Sequence, residues 1–402
     1  MRMKACDGID GRRRLKVAAL SINPAPYRDP VFAEVHRRGN IELHVLTMFA
    51  AEPDHPYRRE AAPGYLNTPL GKGFKLLRHS WLHPGIVPAL RRGMFDAIIV
   101  PGYSHATAVL AMLFCWATAT PLIFSCDSVD FGEGSRRRAR LLRLILRHAA
   151  AAWVPGAQSR SYLRQLGFAA DRIFEGAYCL DCERLIHFFQ AREPARDALR
   201  ESLRIDNAGF MFLFVGRMIA PRGLTHLVRA FADLSALEKD AFLVLVGDGP
   251  VRDDVARLAQ SLRLNRFRII APTDFDTLRN YYLAADAYVM PALREPYSLA
   301  LAQAAIFGLP VVTTANVGAV ADYVPNAETG TIVPAGDSVA LKDAMLKLVR
   351  NRSLAQTVGR AGQQLARSRT VDWGADQLER AALRAVSRET SDLGHAVVGV
   401  RG

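Results

Sequence analysis

Short apolar runs alternate with amphipathic helical stretches along almost the whole 402-residue chain, and the alternation starts afresh once. The apolar runs are nearly continuous, which is typical of parallel strands that are buried on both faces. The helical stretches place their apolar residues three and four apart, as with Leu224, Leu227 and Val228 after Gly223. The pattern therefore predicts two doubly wound α/β domains in series, with ligands bound at the carboxyl ends of the strands.

A polar stretch at about 190–207 separates the two series. The segment 50–95 is richer in Pro, Gly and Arg, and we predict loops with one short helix there. The predicted strands are Leu15–Ile22, Ile41–Met48, Ala97–Val100, Leu122–Ser125, Ala152–Val154 and Arg172–Phe174, then Phe210–Val215, Phe242–Val246, Arg268–Ile270, Ala287–Met290 and Val311–Thr313. The predicted helices are 30–38, 105–119, 136–150 and 159–166, then 223–235, 250–262, 275–284, 298–307 and 338–350.

The chain length suits two domains of ordinary size. We predict an N-terminal Rossmann-like domain over residues 1–190 and a C-terminal one over 191–375. A last helix and tail over 376–402 are predicted to pack back on the N-terminal domain.

The formal net charge is +13, and residues 1–190 carry +10 of it. This asymmetry indicates that the first half meets something anionic, either membrane headgroups, nucleic acid or phosphorylated substrates. Nucleic acid is disfavoured, because the sequence has neither a basic stripe with interleaved aromatic residues nor a helix-turn-helix pattern.

Five cysteines do not make a disulfide framework, and an odd number favours a reducing compartment. Cys179 and Cys182 form a CxxC without a second pair, and we expect both to be buried.

The uncharged run 106–124 is interrupted by Pro121, so we predict a buried helix and strand there instead of a membrane span. The expected location is cytoplasmic, with peripheral attachment to the inner face of the cytoplasmic membrane as a further option.

Two cations flank the end of the strand Phe210–Val215. Arg217 follows Gly216 directly, and Arg222 precedes the helix that starts after Gly223. Arginines at a strand end and a helix N-terminus favour an anion site, because the helix dipole and the free N–H groups add to their charge. Two solvated arginines in a loop are the alternative.

The segment 286–312 combines a strand, a loop with Glu295, and a helix that starts near Ser298 and carries Gln303. Here the chain resembles the retaining glycosyltransferases of glycosyltransferase family 4, whose Glu-x7-Glu signature lies in the same context. The motifs around Gly216, Gly247 and 317–337 support the resemblance. It implies the GT-B fold, in which two Rossmann-like domains face each other across a cleft.

The resemblance assigns roles to individual residues. Arg217 and Arg222 would bind the donor diphosphate, with Arg222 at the usual lysine position. Glu295 would contact hydroxyls of the transferred sugar, and the N–H groups of Ser298 and Leu299 would cap the phosphate.

Further residues would hold the nucleotide. Pro272, Thr273 and Tyr297 belong to this group, and Gln303 takes the position of the second Glu, which normally contacts the ribose. Asp127 stands where many members have a histidine beside the transferred sugar, and it is our candidate for a catalytic role there.

The implied reaction transfers a sugar from a UDP- or GDP-sugar to an acceptor with retention of the anomeric configuration. Similar enzymes use no metal and no other cofactor, since arginines neutralise the leaving phosphate. The segments 24–28 and 162–174 resemble the branch that assembles bacterial exopolysaccharide and lipopolysaccharide, which implies a glycan or lipid-linked glycan acceptor. A catalytically degenerate GT-B protein that acts as a scaffold is the alternative, motivated by Gln303 and Asp127.

A second partner is suggested by the basic segment 136–147. At helical spacing, Arg136, Arg140, Arg143 and Arg147 share one face. Such a face is typical either of an ordinary solvated surface helix or of a helix that docks on an anionic membrane.

Overall fold

The computed structural model describes residues 13–23, 25, 27–49, 64–77, 80–127, 129, 136–190, 193–206 and 208–396, without the side chains of 138 and 388–396. Pro24 and Pro26 of the segment 24–28 lie outside these residues. The chain forms two compact units, and the first comprises residues 1–180 together with 369–402. The elements of its first stretch are β1 Leu15–Ser21, α1 Asp29–Arg38, β2 Ile41–Thr47, β3 Leu66–Pro69, β4 Phe74–Leu77, β5 Ser80–Leu82, α2 Ile86–Gly93, β6 Ala97–Pro101, α3 Ala106–Thr118, β7 Leu122–Ser125, α4 Arg136–His148, β8 Ala149–Trp153, α5 Ala157–Gln165 and β9 Ile173–Phe174.

The first unit is built on a parallel sheet with the strand order β3-β2-β1-β6-β7-β8-β9. The order reverses between β1 and β6, which makes this the place where an open α/β sheet binds ligands. Both faces are buried: Ala18 and Leu20 of β1 enter one hydrophobic core, and Val17 and Ala19 enter the other. This is the two-sided burial that the apolar runs predicted.

The second unit comprises residues 181–368. Its 3-10 turn Ala220–Arg222 precedes a helix that starts at Leu224. The elements are α6 Cys182–Gln190, α7 Glu193–Ser202, β10 Phe210–Val215, α8 Leu224–Leu237, β11 Ala241–Val246, α9 Arg252–Ser261, β12 Phe267–Ile270, α10 Phe275–Ala284, β13 Ala287–Met290, α11 Leu299–Ile306, β14 Val311–Thr314, α12 Val320–Tyr323, β15 Gly330–Val333, α13 Ser338–Arg350 and α14 Arg352–Ala366.

The second sheet is also parallel, with the order β12-β11-β10-β13-β14-β15. Here the order reverses between β10 and β13. Gly216 and Arg217 follow β10, and the loop with Glu295 follows β13. Arg217 and Glu295 therefore follow the two strands that flank the reversal, at their carboxyl ends.

The last helix, α15 Val371–Ala396, belongs to the first unit. Its residues Leu378, Ala381 and Ala382 are almost fully buried in the same core as Val17 and Ala19. Arg38 of α1 holds the start of this helix, with Nη2 2.8 Å from Oδ1 of Asp372 and Nη1 2.5 Å from Oδ1 of Asp376.

The predicted class, two Rossmann-like α/β units with parallel sheets, is confirmed. Two local expectations were wrong. Over residues 64–77 and 80–95, the part of the segment 50–95 that the structure describes, there are three strands besides the helix. β3 is a short edge strand that ends in Pro69, and all of β4 is exposed, so neither shows the pattern of a buried strand.

The polar stretch at 190–207 contains α7, which the sequence did not reveal. Arg200 is the residue on which this helix depends, since its side chain is almost fully buried. Its Nη1 donates to the carbonyl of Ala284 at 3.0 Å and lies 3.1 Å from Oδ2 of Asp286. An arginine thus takes the inward position where a helical pattern normally has an apolar residue.

Candidate functional site

The end of β10 brings an arginine against a glycine backbone. Gly216 has φ 146°, and a Cβ atom at this position would lie 2.1 Å from Nη1 of Arg222. A side chain would therefore displace the guanidinium, and the positive φ disfavours any other residue as well. Gly223 ends the 3-10 turn with φ 66°, where a Cβ would lie 2.2 Å from the carbonyl oxygen of Pro291. Gly223 therefore allows the β10 and β13 loops to approach closely, and Gly216 leaves room for the guanidinium of Arg222.

Arg222 and Glu295 form an ion pair at this point. Nη2 of Arg222 lies 2.7 Å from Oε2 of Glu295, and the two side chains are only 15% and 11% exposed. Nε of Arg222 is buried and has no hydrogen-bond partner within the described part of the chain. The sequence predicted these two residues for one site, and the structure brings them into direct contact.

Arg217 is exposed, in contrast to Arg222. Among the described residues no carboxylate pairs with its side chain, so its charge is available to an anion from solution. Its carbonyl accepts a hydrogen bond from the N–H of Ile219 at 3.1 Å.

The loop that carries Glu295 is fixed on both sides by its backbone. The N–H groups of Leu293 and Arg294 donate to the carbonyl of Pro221 at 2.8 and 3.1 Å. The N–H of Glu295 donates to the carbonyl of Asn316 at 2.9 Å, and the carbonyl of Glu295 accepts from the N–H of Gly318 at 2.9 Å. The backbone that carries this carboxylate is therefore hydrogen-bonded to two other chain segments, one at Pro221 and one at 316–318.

Helix α11 begins directly after this loop. Ser298 caps it in the left-handed conformation, with φ 79°, and its Oγ accepts from the N–H of Leu301 at 3.2 Å. No hydrogen bond within the described chain uses the N–H of Leu299, the first residue of the helix. Tyr297 is buried just before the cap, and its carbonyl accepts from Ala319 at 2.8 Å. A helix start of this kind favours an anion.

Gln303 lies in the second turn of α11 and is held by a tyrosine that the sequence analysis missed. The hydroxyl of Tyr282 donates to Oε1 of Gln303 at 3.0 Å and to the carbonyl of Ala300 at 3.3 Å. Tyr282 is fully buried and stacks on Phe307, with the ring centroids 5.2 Å apart. The amide oxygen of Gln303 is thus already engaged, and its NH₂ group is the part that remains for a ligand.

Tyr288 of β13 is the second residue that the motifs did not indicate. Its side chain is fully buried, and its hydroxyl donates to the carbonyl of Val215 at 3.4 Å. Burial raises the pKa of Tyr288 well above its ordinary value, and the charge of Glu295 raises it further, while Arg222 and Ser298 act in the opposite direction. Tyr288 is therefore a buried, uncharged side chain beside the ion pair.

Pro272 and Thr273 lie after the edge strand β12, two strands from β10. Pro272 is exposed, and the hydroxyl of Thr273 donates to Oδ2 of Asp274 at 3.3 Å. Asp274 caps α10 by accepting from the N–H of Thr277, which lowers the pKa of its carboxyl. No contact joins Pro272 or Thr273 to Arg222 or Glu295 in the described chain.

The first unit has a cavity of about 280 Å³ at the reversal of its own sheet. Its walls come from the carboxyl ends of β1, β6, β7 and β8, and we call it the first-unit cavity. The residues that line it are Ile22, Asn23, Tyr27, Arg28, Pro101, Gly102, Ser104, Ser125, Cys126, Asp127, Pro155 and Tyr178. Asp127, predicted from the sequence, is thus part of a cavity, and the hydroxyl of Tyr178 lies 3.5 Å from its Oδ2.

Arg28 is the charged residue of this cavity that the sequence analysis did not select. It is 8% exposed, and its guanidinium carbon lies 5.3 Å from the ring centroid of Tyr27. Burial by itself lowers the pKa of Arg28, yet the pKa is raised overall because Tyr27, Tyr178 and Asp127 are close. Arg28 therefore remains a cation in its buried position.

Two features are absent from the residues that the structure describes. No group of three His, Cys, Asp or Glu side chains in the described chain is arranged to hold a metal ion. No helix in that part of the chain has both the length and the apolar character that a membrane span requires. Cys179 and Cys182 are both buried thiols, as expected.

Comparison with protein families gives two matches. Residues 195–365 match the glycosyl transferases group 1, and residues 24–174 match the glycosyl transferase 4-like domain. The chain therefore contains both of these glycosyltransferase domains, one in each unit.

Individual relatives and structures agree with this result. A D-inositol 3-phosphate glycosyltransferase of Rhodococcus opacus is 26% identical over 90% of this chain and 89% of its own length. A 2-deoxystreptamine N-acetyl-D-glucosaminyltransferase of Niallia circulans is 29% identical over 36% of this chain. This chain covers 38% of the length of that relative, and it covers 14% and 41% of the lengths of two other relatives.

Among solved structures, Anabaena HepE in complex with UDP and glucose matches with a TM-score of 0.69 and 17% identity, over 91% of this chain and 98% of HepE. A likeness at this level concerns the fold, and it confirms the predicted GT-B fold.

Proposed function

We propose that the protein is a retaining glycosyltransferase that moves a sugar from a nucleotide-sugar donor to a glycan or lipid-linked glycan. The observation that carries the proposal is the arrangement at the reversal of the second sheet. There Arg217, the Arg222–Glu295 pair and the start of α11 lie around the carboxyl ends of β10 and β13. The domain matches and the UDP complex of HepE support the same class of donor.

Each group has a role in this reaction. Negative charge develops on the diphosphate as the bond to the sugar breaks, and fixed positive groups that face it lower the barrier. Arg217 is available for that charge, Arg222 adds a second cation, and the N–H of Leu299 adds the helix dipole. In this proposal the arginines take the place of a metal ion.

Glu295 is placed for a different task. Its carboxylate is fixed by Arg222 and by the backbone bridge to Asn316 and Gly318, and it accepts hydrogen bonds from hydroxyls of the transferred sugar. A rigid carboxylate orients the sugar without adjusting its own position during the reaction. The NH₂ group of Gln303 would donate to the ribose, and Pro272, Thr273 and Tyr297 complete the nucleotide site. Asp127 would accept a hydrogen bond from a sugar hydroxyl in the first-unit cavity.

We further propose a role in bacterial polysaccharide or glycolipid synthesis at an anionic membrane, where α4 is the contact. Arg136, Arg140, Arg143 and Arg147 are exposed on this helix. Leu141 and Leu144 are exposed on the same helix, at 43% and 49%, while Leu142 and Ile145 are buried. A surface with cations beside exposed leucines suits the headgroup region better than bulk water.

The test of the donor is thermal unfolding with a panel of UDP- and GDP-sugars, followed by a transfer assay and NMR determination of the anomeric configuration in the product. A ligand at 100 times its Kd stabilises a protein by about 2.7 kcal/mol. Arg217→Ala should lower turnover by roughly two to three orders of magnitude. Arg229→Ala, an exposed arginine of α8, is the matched control. Stabilisation without turnover would favour the scaffold alternative, and inversion would overturn the mechanism.

A further inference from the structure

The first-unit cavity contains a charge whose hydrogen bonding is incomplete. Arg28 is 8% exposed, and its Nε has no hydrogen-bond partner among the described residues. The described chain also contains no carboxylate within ion-pair distance of this guanidinium. A buried guanidinium with a free donor is costly, because its lost hydration is not replaced. Such a cost is tolerated where a ligand supplies the missing acceptor.

The neighbours of Arg28 limit what that ligand can be. Tyr27 packs edge-on against Tyr178, with the ring centroids 4.5 Å apart, and the hydroxyl of Tyr178 lies 3.5 Å from Oδ2 of Asp127. The cavity therefore offers a cation, two tyrosines and a carboxylate. The cation requires an oxyanion, whereas the carboxylate accepts hydrogen bonds from hydroxyl groups.

The size of the cavity sets a further limit. Its volume of about 280 Å³ is slightly below the range for small-molecule sites, roughly 300–1,000 Å³. One hydroxylated ring with one small substituent fills such a space, and an oligosaccharide does not. The position at the carboxyl ends of β1 and β6 is the one where α/β sheets bind their ligands.

We propose that the first-unit cavity selects an acceptor whose terminal sugar ring carries an oxyanion, a phosphate or a carboxylate. Arg28 binds the oxyanion, and Asp127 accepts hydrogen bonds from hydroxyls of the same ring. This inference rests on the proposed function, and it adds a specificity for charged acceptors that depends on Arg28.

The test measures binding to the full chain by calorimetry in the presence of saturating UDP. The probes are glucose 1-phosphate, glucose 6-phosphate and glucuronate, with glucose as the neutral parent and inorganic phosphate as the anion alone. We expect at least one charged sugar to bind about 10 to 100 times more tightly than glucose, since a hydrogen bond to a charged group is worth that much. Comparison of the phosphates with glucuronate distinguishes the two oxyanions.

Arg28→Gln should remove most of this preference and leave UDP binding unchanged, and Arg28→Lys should retain part of it. If Arg28→Gln does not fold, Arg28→Lys alone tests whether the preference for charged sugars depends on this side chain. Asp127→Asn should weaken all sugar probes by a similar factor. Arg91→Gln, at an exposed arginine of α2, is the control and should change nothing.

Three results would overturn the inference: no charged sugar binds, glucose binds as well as the charged sugars, or Arg28→Gln weakens charged and neutral sugars equally. Normal UDP binding in those experiments would leave the donor proposal intact. Failure of UDP and of all nucleotide sugars to bind would instead refute the proposed function itself.

Discussion

At the scale of the residue, Arg222 does more than supply a charge. Its Nη1 lies against Gly216, and its Nη2 pairs with Glu295 at 2.7 Å. A lysine offers one ammonium group on a flexible stem and cannot make both contacts in a fixed geometry. The arginine therefore couples the position of the Glu295 carboxylate to the glycine turn after β10.

The first prediction concerns this ion pair. Arg222→Ala leaves the mostly buried Glu295 without its counter-ion, so we expect lower turnover and also a loss of up to about 3 kcal/mol in the free energy of unfolding. Glu295→Gln in the Arg222→Ala background should restore part of the stability but not the turnover. Chemical denaturation and a transfer assay measure the two effects separately. Arg217→Ala, at an exposed position, should reduce turnover alone, and equal stability losses in both variants would contradict the assignment.

The second prediction concerns Gln303. Its oxygen accepts from Tyr282, so Gln303→Leu removes both that contact and the free NH₂ group, and UDP affinity should fall by about 1–3 kcal/mol. Gln303→Glu should leave activity within about tenfold of the wild type, because the second carboxylate oxygen can accept from the ribose hydroxyl that the NH₂ group would contact. Tyr282→Phe is the matched control, since it removes the internal hydrogen bonds to Gln303 and Ala300 and leaves the NH₂ group in place. If calorimetry shows that Leu and Gln bind UDP equally, the residue does not touch the nucleotide.

The motif residues of the second unit could be predicted because strand ends, glycines and a helix start fix their places in the chain. The structure brings Arg222 and Glu295 together as that reasoning implied. Tyr282, Tyr288 and Arg28 could not be predicted in the same way. Each is a residue inside a helix or strand or at its edge, and its role depends on which distant segment packs against it.

At the scale of the element, α1 and α15 are joined through Arg38. This side chain pairs with Glu34 on its own helix and with Asp372 and Asp376 on α15. Contact with Arg37 lowers the pKa of Glu34 to about 2, and Arg38 contributes to the same shift. The contacts tie a helix near the start of the chain to one near its end.

The third prediction follows from these contacts. Arg38→Met should lower the free energy of unfolding by about 1–3 kcal/mol near neutral pH. Because the pKa of Glu34 is lower in the folded chain than its ordinary 4.5, the stabilisation is complete above that pH and is lost as the pH falls toward 2. The difference between variant and wild type should therefore shrink between about pH 4.5 and pH 2. Arg37→Met, at a 72% exposed side chain, should change the free energy of unfolding much less, because solvent screens an exposed ion pair. A pH-independent difference would contradict this account.

The fourth prediction concerns α4 as a membrane contact. The full chain should co-sediment with vesicles in proportion to their anionic lipid content. It should bind less at high salt, because the electrostatic screening length is shorter there. Each basic residue near such a surface contributes about 1 kcal/mol. Changing Arg136, Arg140, Arg143 and Arg147 to Gln should abolish binding, whereas changing Arg91 and Arg92 of α2 should not. Absence of binding to strongly anionic vesicles at low salt would exclude a membrane role for this helix.

Most sheet elements could be predicted because central parallel strands are continuous apolar runs. The exceptions lie where burial is partial or absent, as in the edge strand β3 and in the exposed β4, which pairs with the half-buried β5. Whether such a segment forms a strand depends on how it packs in the fold and not on the pattern of its residue types.

At the scale of the whole molecule, the first unit is discontinuous in sequence. The chain leaves it after Leu180, forms the second unit, and re-enters the first at Arg369. The residues of α15 fill a core that β1 and β8 begin, and Leu378 alone contributes roughly 2 kcal/mol by its burial.

The fifth prediction tests this discontinuity. A chain that ends at Ser368 should not fold its first unit, since the core that contains Val17 and Trp153 loses one wall. Its second unit, continuous from 181 to 368, should stay folded and bind UDP. Limited proteolysis with mass spectrometry would show a protected fragment for the second unit alone. A chain that ends at Ser387, which keeps Ala385, is the control, and protection of both units in the shorter chain would refute the prediction.

The same discontinuity reverses the usual order of folding during synthesis. Residues 1–180 leave the ribosome first, yet their core stays incomplete until α15 has been translated. At roughly 5–20 residues per second this interval lasts about 10 to 40 s, during which the apolar strands of the first unit lack one covering helix. The second unit can complete its core within that interval. Nascent chains of this protein should therefore depend on chaperones chiefly for their earliest part, although it is made first.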